Sequence, residues 1–159
     1  MVMNQTENKC WMAIASISDP EIPVLSIVDL GIVRYINCAS ETEVEVGISS
    51  TYSGCPAMDM IGADIKMVLT KNGFTSIAIK NIITPAWTTE WMSKEGKEKL
   101  AAYGIAPPDK RFTIPTDGVT CPRCSSQNTK LLSEFGSTAC KALYQCNDCK
   151  EPFDYFKCH

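Results

Sequence analysis

Cys121-Pro-Arg-Cys124, then 21 residues, then Cys146-Asn-Asp-Cys149 is the stretch that decides how the end of this chain folds. Each Cys-x-x-Cys can close into a tight knuckle that presents two sulfurs to one ion, and two knuckles complete a tetrahedral site. Between them, residues 129–135 and 138–145 are strand-like and meet at Gly136-Ser137, so a hairpin carries the second knuckle back to the first. Residues 153–156, Phe-Asp-Tyr-Phe, can add a further strand. About forty residues bury too little surface to fold alone, so the ion is expected to be structural and to supply much of the folding energy. Zinc on Cys121, Cys124, Cys146 and Cys149 is the expected occupant, because four thiolates leave no position open to water. An iron–sulfur cluster is the rival. Cys140 and Cys158 keep it open as additional ligands, against the reading of both as small buried apolar residues. A redox role is disfavoured by two such pairs in one ribbon instead of one at a helix start.

Working outward, six of the nine cysteines fall in the last 39 residues, and the odd total argues for metal binding over a disulfide framework. The chain has 159 residues, 45% apolar and 21% charged, which suits one core-bearing domain and a small appendage. Its formal charge of −3, with basic residues scattered, gives no footprint for nucleic acid. No apolar run approaches the roughly 20 residues of a membrane span, and the amino terminus lacks the features of a secretory signal. A cytoplasmic location is the resulting expectation.

The division is expected near residue 105: a first domain over 1–104, a linker over 105–118 rich in Pro, Asp and Thr, and a ribbon domain over 119–159. In the first domain, residues 4–17 place Trp11, Ile14 and Ile17 on one helical face, with Asp19-Pro20 as the stop. Residues 31–38 and 43–50 read as a hairpin, Val44, Val46 and Ile48 alternating with polar neighbours. Met58, Ile61, Ile65 and Val68 mark a helix that begins at Pro56 and ends at Asn72-Gly73. Residues 74–83 read as a third strand, and a short polar helix ends near Tyr103-Gly104. The order α, β, β, α, β, α predicts an α+β fold with helices packed on one face of a small sheet.

Cys55 stands at the start of that second long helix, where unpaired N–H groups and the helix dipole favour a thiolate. It reads either as a functional thiol or as a small buried cap. Asp19-Pro20-Glu21 sets two carboxylates in a rigid loop, as oxygen ligands or as acceptors for nearby backbone N–H groups, or simply as a helix terminator with solvated acids. His159, the only histidine, is the last residue and has no assignable role, so no Cys–His or Ser–His pair can be assembled. Trp87 and Trp91 would share a helical face capped by Thr88 or Thr89 and serve core packing, with partner contact as the alternative.

Taken together, Asp19-Pro-Glu-Ile-Pro-Val-Leu-Ser-Ile-Val-Asp-Leu-Gly31, Thr51-Tyr-Ser-Gly-Cys-Pro56, Pro85-Ala-Trp-Thr-Thr-Glu-Trp91, residues 133–144 and residues 151–158 resemble the PaaD family. These are accessory subunits associated with phenylacetyl-CoA epoxidase. The first two motifs alone resemble a wider group of iron–sulfur assembly proteins that includes SufT. The resemblance implies a non-enzymatic accessory role in aerobic phenylacetate degradation: maturation or repair of iron or iron–sulfur centres in a di-iron oxygenase and its reductase, which would be the partners. It further implies that Cys55 is the functional thiol, with Asp19, Glu21 and Thr51 near it, carrying a transient iron or iron–sulfur cluster. One thiol per chain would then need ligands from elsewhere, which brings in a homodimer. The alternative is a non-catalytic interaction subunit of the same oxygenase.

Overall fold

Val44, Val46 and Ile48 are buried while the intervening Glu45 is half-buried, the alternation of a sheet packed on one face. In the computed structural model, which describes residues 5–109 and 114–157, they belong to β2 (Glu43–Ile48), flanked by β1 (Val33–Cys38) and β3 (Ser76–Asn81). β1 and β2 form the expected antiparallel hairpin, with Cys38 opposite Val44 and Val33 opposite Ile48. β3 runs parallel to β2 in unbroken register, from Glu43 opposite Ser76 to Ile48 opposite Asn81. A parallel neighbour needs a crossover. It is α2 (Ala57–Lys71), which buries Ala57, Ile61, Ile65 and Leu69 and ends before Gly73 at φ 98°. α1 (Gln5–Ile14) packs against β1 and α2, giving the α+β helix-on-sheet arrangement anticipated.

Two expectations for the helices change. α1 stops at Ile14, ahead of Asp19-Pro20, because Ser16 Oγ donates to the Ala13 carbonyl at 2.7 Å and the backbone tightens there. Its buried face carries Cys10 and Ile14, while Trp11 is half-buried and Ile17 is buried beyond the helix. Trp87 and Trp91 do not share a helix either. Trp87 is buried and its Nε1 donates to the Leu30 carbonyl at 2.9 Å, anchoring the loop that follows the acidic segment. Trp91 ends a single 3-10 turn, Thr89–Trp91. The next helix, α3 (Lys94–Tyr103), is capped by Ser93, whose Oγ accepts from the Gly96 N–H at 2.9 Å.

The chain divides into two compact units between Trp87 and Thr88. The second unit contains α3 and an antiparallel sheet in the order β4 (Thr129–Ser133), β5 (Lys141–Cys146), β6 (Pro152–Phe156). Tyr144 is the centre of its core, stacked on Phe153 at 5.9 Å and edge-on to Tyr155 at 5.6 Å. The aperiodic segment before the ribbon is stitched to this sheet at single residues. Ala106 donates to the Asp154 carbonyl at 2.8 Å and accepts from the Phe156 N–H at 3.0 Å. The Tyr144 hydroxyl donates to the Pro115 carbonyl at 2.6 Å. No helix among the described residues is long and apolar enough to cross a membrane.

Candidate metal centre and thiol site

The two knuckles of the ribbon repeat the same backbone device. Cys121 N–H donates to the Ser126 carbonyl at 2.9 Å, and Cys146 N–H donates to the Glu151 carbonyl at 3.0 Å. The residue after each second cysteine is left-handed, Ser125 at φ 62° and Lys150 at φ 67°, a conformation that non-glycine residues adopt rarely and that turns the chain sharply. The N–H two residues beyond each second cysteine, from Ser126 and Glu151, then reaches back to the sulfur of Cys124 and Cys149. A polar staple joins the knuckles: Asp148 accepts from Ser126 Oγ and, at 2.8 Å, from Asn128 Nδ2. Asn147 Nδ2 donates to Asn128 Oδ1 at 2.9 Å.

These devices bring Cys121, Cys124, Cys146 and Cys149 together, with all four sulfurs within 4.8 Å of one another. Cys121 lies 3.8 Å from Cys149 and Cys124 lies 3.6 Å from Cys146. Sulfurs about 2.3 Å from a tetrahedral ion are about 3.8 Å apart, so the donor set fits one thiophilic cation. Among themselves the thiols divide. The Cys149 N–H, helped by that of Asp148, brings Cys146 down to about 7. The Ser126 N–H pulls Cys124 down, but the thiols of Cys146, Cys149 and Cys121, together with burial, push it up to about 12.

Cys140 is not part of this group. It is buried ahead of β5, whose far end is Cys146, and six residues of strand span about 20 Å. Its sulfur instead lies 3.0 Å from Thr138 Oγ1. Of its two readings, the position of Cys140 is that of the small buried residue, outside the four-sulfur group. Cys158 and His159 lie outside the described residues.

Cys55 lies on the loop between β2 and α2, half-buried just ahead of Pro56 and after Gly54 at φ 78°. Burial pushes its thiol up. The Ala57 N–H and the Tyr52 hydroxyl pull it down, and the carboxylates of Glu21 and Asp19 add to the upward shift. The helix start thus acts in the expected direction and is outweighed by burial and the facing carboxylates, so the net shift of the thiol is upward. Asp19 is itself buried, and its Oδ1 accepts from the N–H groups of Glu21 at 2.9 Å and Ile22 at 2.8 Å. Glu21 accepts from the Tyr52 hydroxyl at 3.5 Å. Thr51 opens the loop, half-buried; the hydroxyl bonded to Cys55 is that of Tyr52, which its position in the sequence did not single out. Cys55, Asp19 and Glu21 face one another electrostatically without closing into a cage: among the described residues, the ribbon four are the one metal-competent group.

A helix-on-sheet unit in which Cys55 faces two carboxylates, followed by a four-thiol ribbon, makes a two-part chain, and each part matches a known family. Residues 7–73 match the family described as iron–sulfur cluster assembly protein, and residues 106–157 match the PaaD zinc beta ribbon domain. The chain is 49% identical over 154 residues to an Escherichia coli (strain K12) protein provisionally named as a subunit of 1,2-phenylacetyl-CoA epoxidase, covering 95% of this chain and 92% of that one. It is 32% identical over 97 residues to a Porphyromonas gingivalis (strain ATCC BAA-308 / W83) protein named Fe-S protein maturation auxiliary factor, covering 60% of this chain and 91% of the other. The crystal structure of a domain of unknown function, DUF59, from Bacillus anthracis is similar with a TM-score of 0.56 and 30% identity, over 60% of this chain and 91% of that one. The chain belongs to the PaaD family.

Proposed function

We propose that this protein is a non-enzymatic accessory factor that matures or repairs the iron or iron–sulfur centres of a phenylacetyl-CoA epoxidase, with Cys55 as its working thiol. The observation that carries the reading is the half-built site at Cys55. One soft sulfur stands before two hard carboxylates, Asp19 and Glu21, and burial, with a smaller contribution from their charge, raises the thiol above its ordinary range. An arriving iron cation or cluster, as cargo, reverses that balance and takes up the sulfur as thiolate. A single thiol cannot close a coordination shell, so the cargo is held briefly and shared with a second copy or with the recipient protein. Transfer, not storage, follows from that openness. The relatives named for a phenylacetyl-CoA epoxidase and for Fe–S protein maturation support the same reading.

In this reading the ribbon holds one structural zinc on Cys121, Cys124, Cys146 and Cys149, and Thr51 helps shape the Cys55 loop. The partners are the di-iron oxygenase subunit and its flavin and iron–sulfur reductase. The test is to produce both partners together with the wild-type chain or with Cys55→Ser, then measure their iron and sulfide content and activity. At least a severalfold loss of iron in one partner is expected. Unchanged iron and activity in both, with Cys55→Ser folded and present at wild-type level, would leave the protein a purely structural component of the complex.

A further inference from the structure

α1 and β1 bring together two cysteines that neither site uses. Cys10 lies on the buried face of α1 and is fully buried, whereas Cys38 ends β1 and is half-buried. Their sulfurs lie 3.7 Å apart, brought together by the packing of the helix on the hairpin. A partly exposed cysteine paired with a fully buried one is the arrangement of an attacking thiol and a resolving thiol.

We propose that Cys10 and Cys38 form a reversible intramolecular disulfide, a modification site whose oxidant is a small disulfide of the glutathione class. The Cys38 thiolate attacks one sulfur of that oxidant, forms a mixed disulfide and expels a thiolate, which takes up a proton. Cys10, on losing its own proton, attacks the Cys38 sulfur, closes the internal bond and expels the second thiolate. Two protein thiols are oxidised and one small disulfide is reduced to two thiols, so atoms and electrons balance. A disulfide bond is about 2.05 Å long, so the sulfurs need to close by under about 2 Å, within the range of side-chain rotation.

The surroundings make the exchange slow and selective. Burial, then the neighbouring Cys38 thiol, raises Cys10 to about 12; Lys9 opposes this and Glu7 adds to it. Burial and Glu7 raise Cys38 as well, against its bond from Cys10. Little thiolate is present near neutral pH, and the rate grows as pH rises. The consequence lies downstream in the chain. α1 runs into the segment holding Asp19 and Glu21, so a covalent bond at Cys10 pins the element that feeds the acidic side of the Cys55 loop.

The test treats the reduced full-length chain, purified with its metal, with oxidised glutathione in oxygen-free, mildly alkaline buffer, followed by an acid quench, alkylation and peptide mass mapping. A loss of two hydrogens and a peptide linking Cys10 to Cys38 are expected. Cys10→Ser should accumulate a glutathione adduct on Cys38, and Cys38→Ser should leave Cys10 reduced until the protein is unfolded. A wild-type chain that stops at the Cys38 adduct overturns the proposal. So does one that links Cys38 elsewhere, or one that keeps both thiols reduced while Cys55 is modified. If the serine variants do not fold, the wild-type map decides, because the adduct and the linked peptide differ in mass.

Discussion

Replacing Asp19 separates the two tasks its carboxylate performs. Its Oδ1 holds the N–H groups of Glu21 and Ile22 at 2.9 and 2.8 Å, in a residue that is only 6% exposed. A hydrogen bond to a charged group contributes about 1.5–3 kcal/mol, and a buried donor left unpaired forfeits about 1–3 kcal/mol. Ile22 is buried and Glu21 only half-buried, so the Glu21 N–H can turn to water and the Ile22 N–H cannot. Asp19→Ala should therefore cost about 2–4 kcal/mol, and Asp19→Asn, which keeps an oxygen acceptor, about 1 kcal/mol. In a unit of this size each kcal/mol moves Tm by about 4–8 °C. Trp11 and Trp87 lie in the first unit, and their fluorescence reports urea and thermal unfolding. Both variants remove a charge that raises the Cys55 thiol, so both should speed its alkylation equally. Equal destabilisation by Asn and Ala would refute the acceptor argument. An alkylation rate that followed stability instead of charge would refute the electrostatic one.

Stripping the metal with a strong chelator, or introducing Cys121→Ser, should abolish amide-exchange protection through β4, β5 and β6 while leaving β1 to β3 protected; persistent protection of Tyr144 and its neighbours would show a ribbon that folds without its ion. Gly47→Ala should destabilise the first unit by about 1–3 kcal/mol. An added Cβ would stand 2.2 Å from Tyr35 Cε1 and drive the ring from its 2.8 Å bond to Glu45. A second change, Tyr35→Ala, should remove most of that penalty, and strictly additive losses would contradict the clash. Burial, with Glu21 and Asp19, raises the Cys55 thiol above its ordinary value of 9.0, so its iodoacetamide rate should keep climbing past that pH. The protonated form is the one folding favours, and stability is therefore full below that value and falls as pH rises beyond it. A rate midpoint below 9.0 would reverse this assignment.

What is legible in the residues themselves is what short spacing encodes. The paired Cys-x-x-Cys motifs, the β-branched hairpin around Val44, and the helix between Pro56 and Gly73 each carry their instruction locally. Other features are set by groups distant in sequence. Ser125 and Lys150 are left-handed because a knuckle demands it, yet neither residue type advertises a positive φ. Tyr52 gains its place from Glu21, Trp87 from the Leu30 carbonyl, and Cys10 from the end of β1. Periodicity alone makes α1 too long, because Ser16 ends it and not the more obvious Pro20. The direction of the Cys55 shift is hidden for a related reason: the helix start is visible in sequence, while burial and facing carboxylates emerge only on folding.

The register of β2 also orders events as the chain is made. Its antiparallel partner β1 is joined to it by a short turn and can zip as soon as Ile48 has emerged. Its parallel partner begins at Ser76 and cannot align until α2 has been synthesised and laid across the sheet. The segment bearing Cys55 is the span between those two events, and its two ends are fixed relative to each other once Asn81 has docked beside Ile48. A chain truncated before β3 would keep its hairpin and lose the frame that holds Cys55.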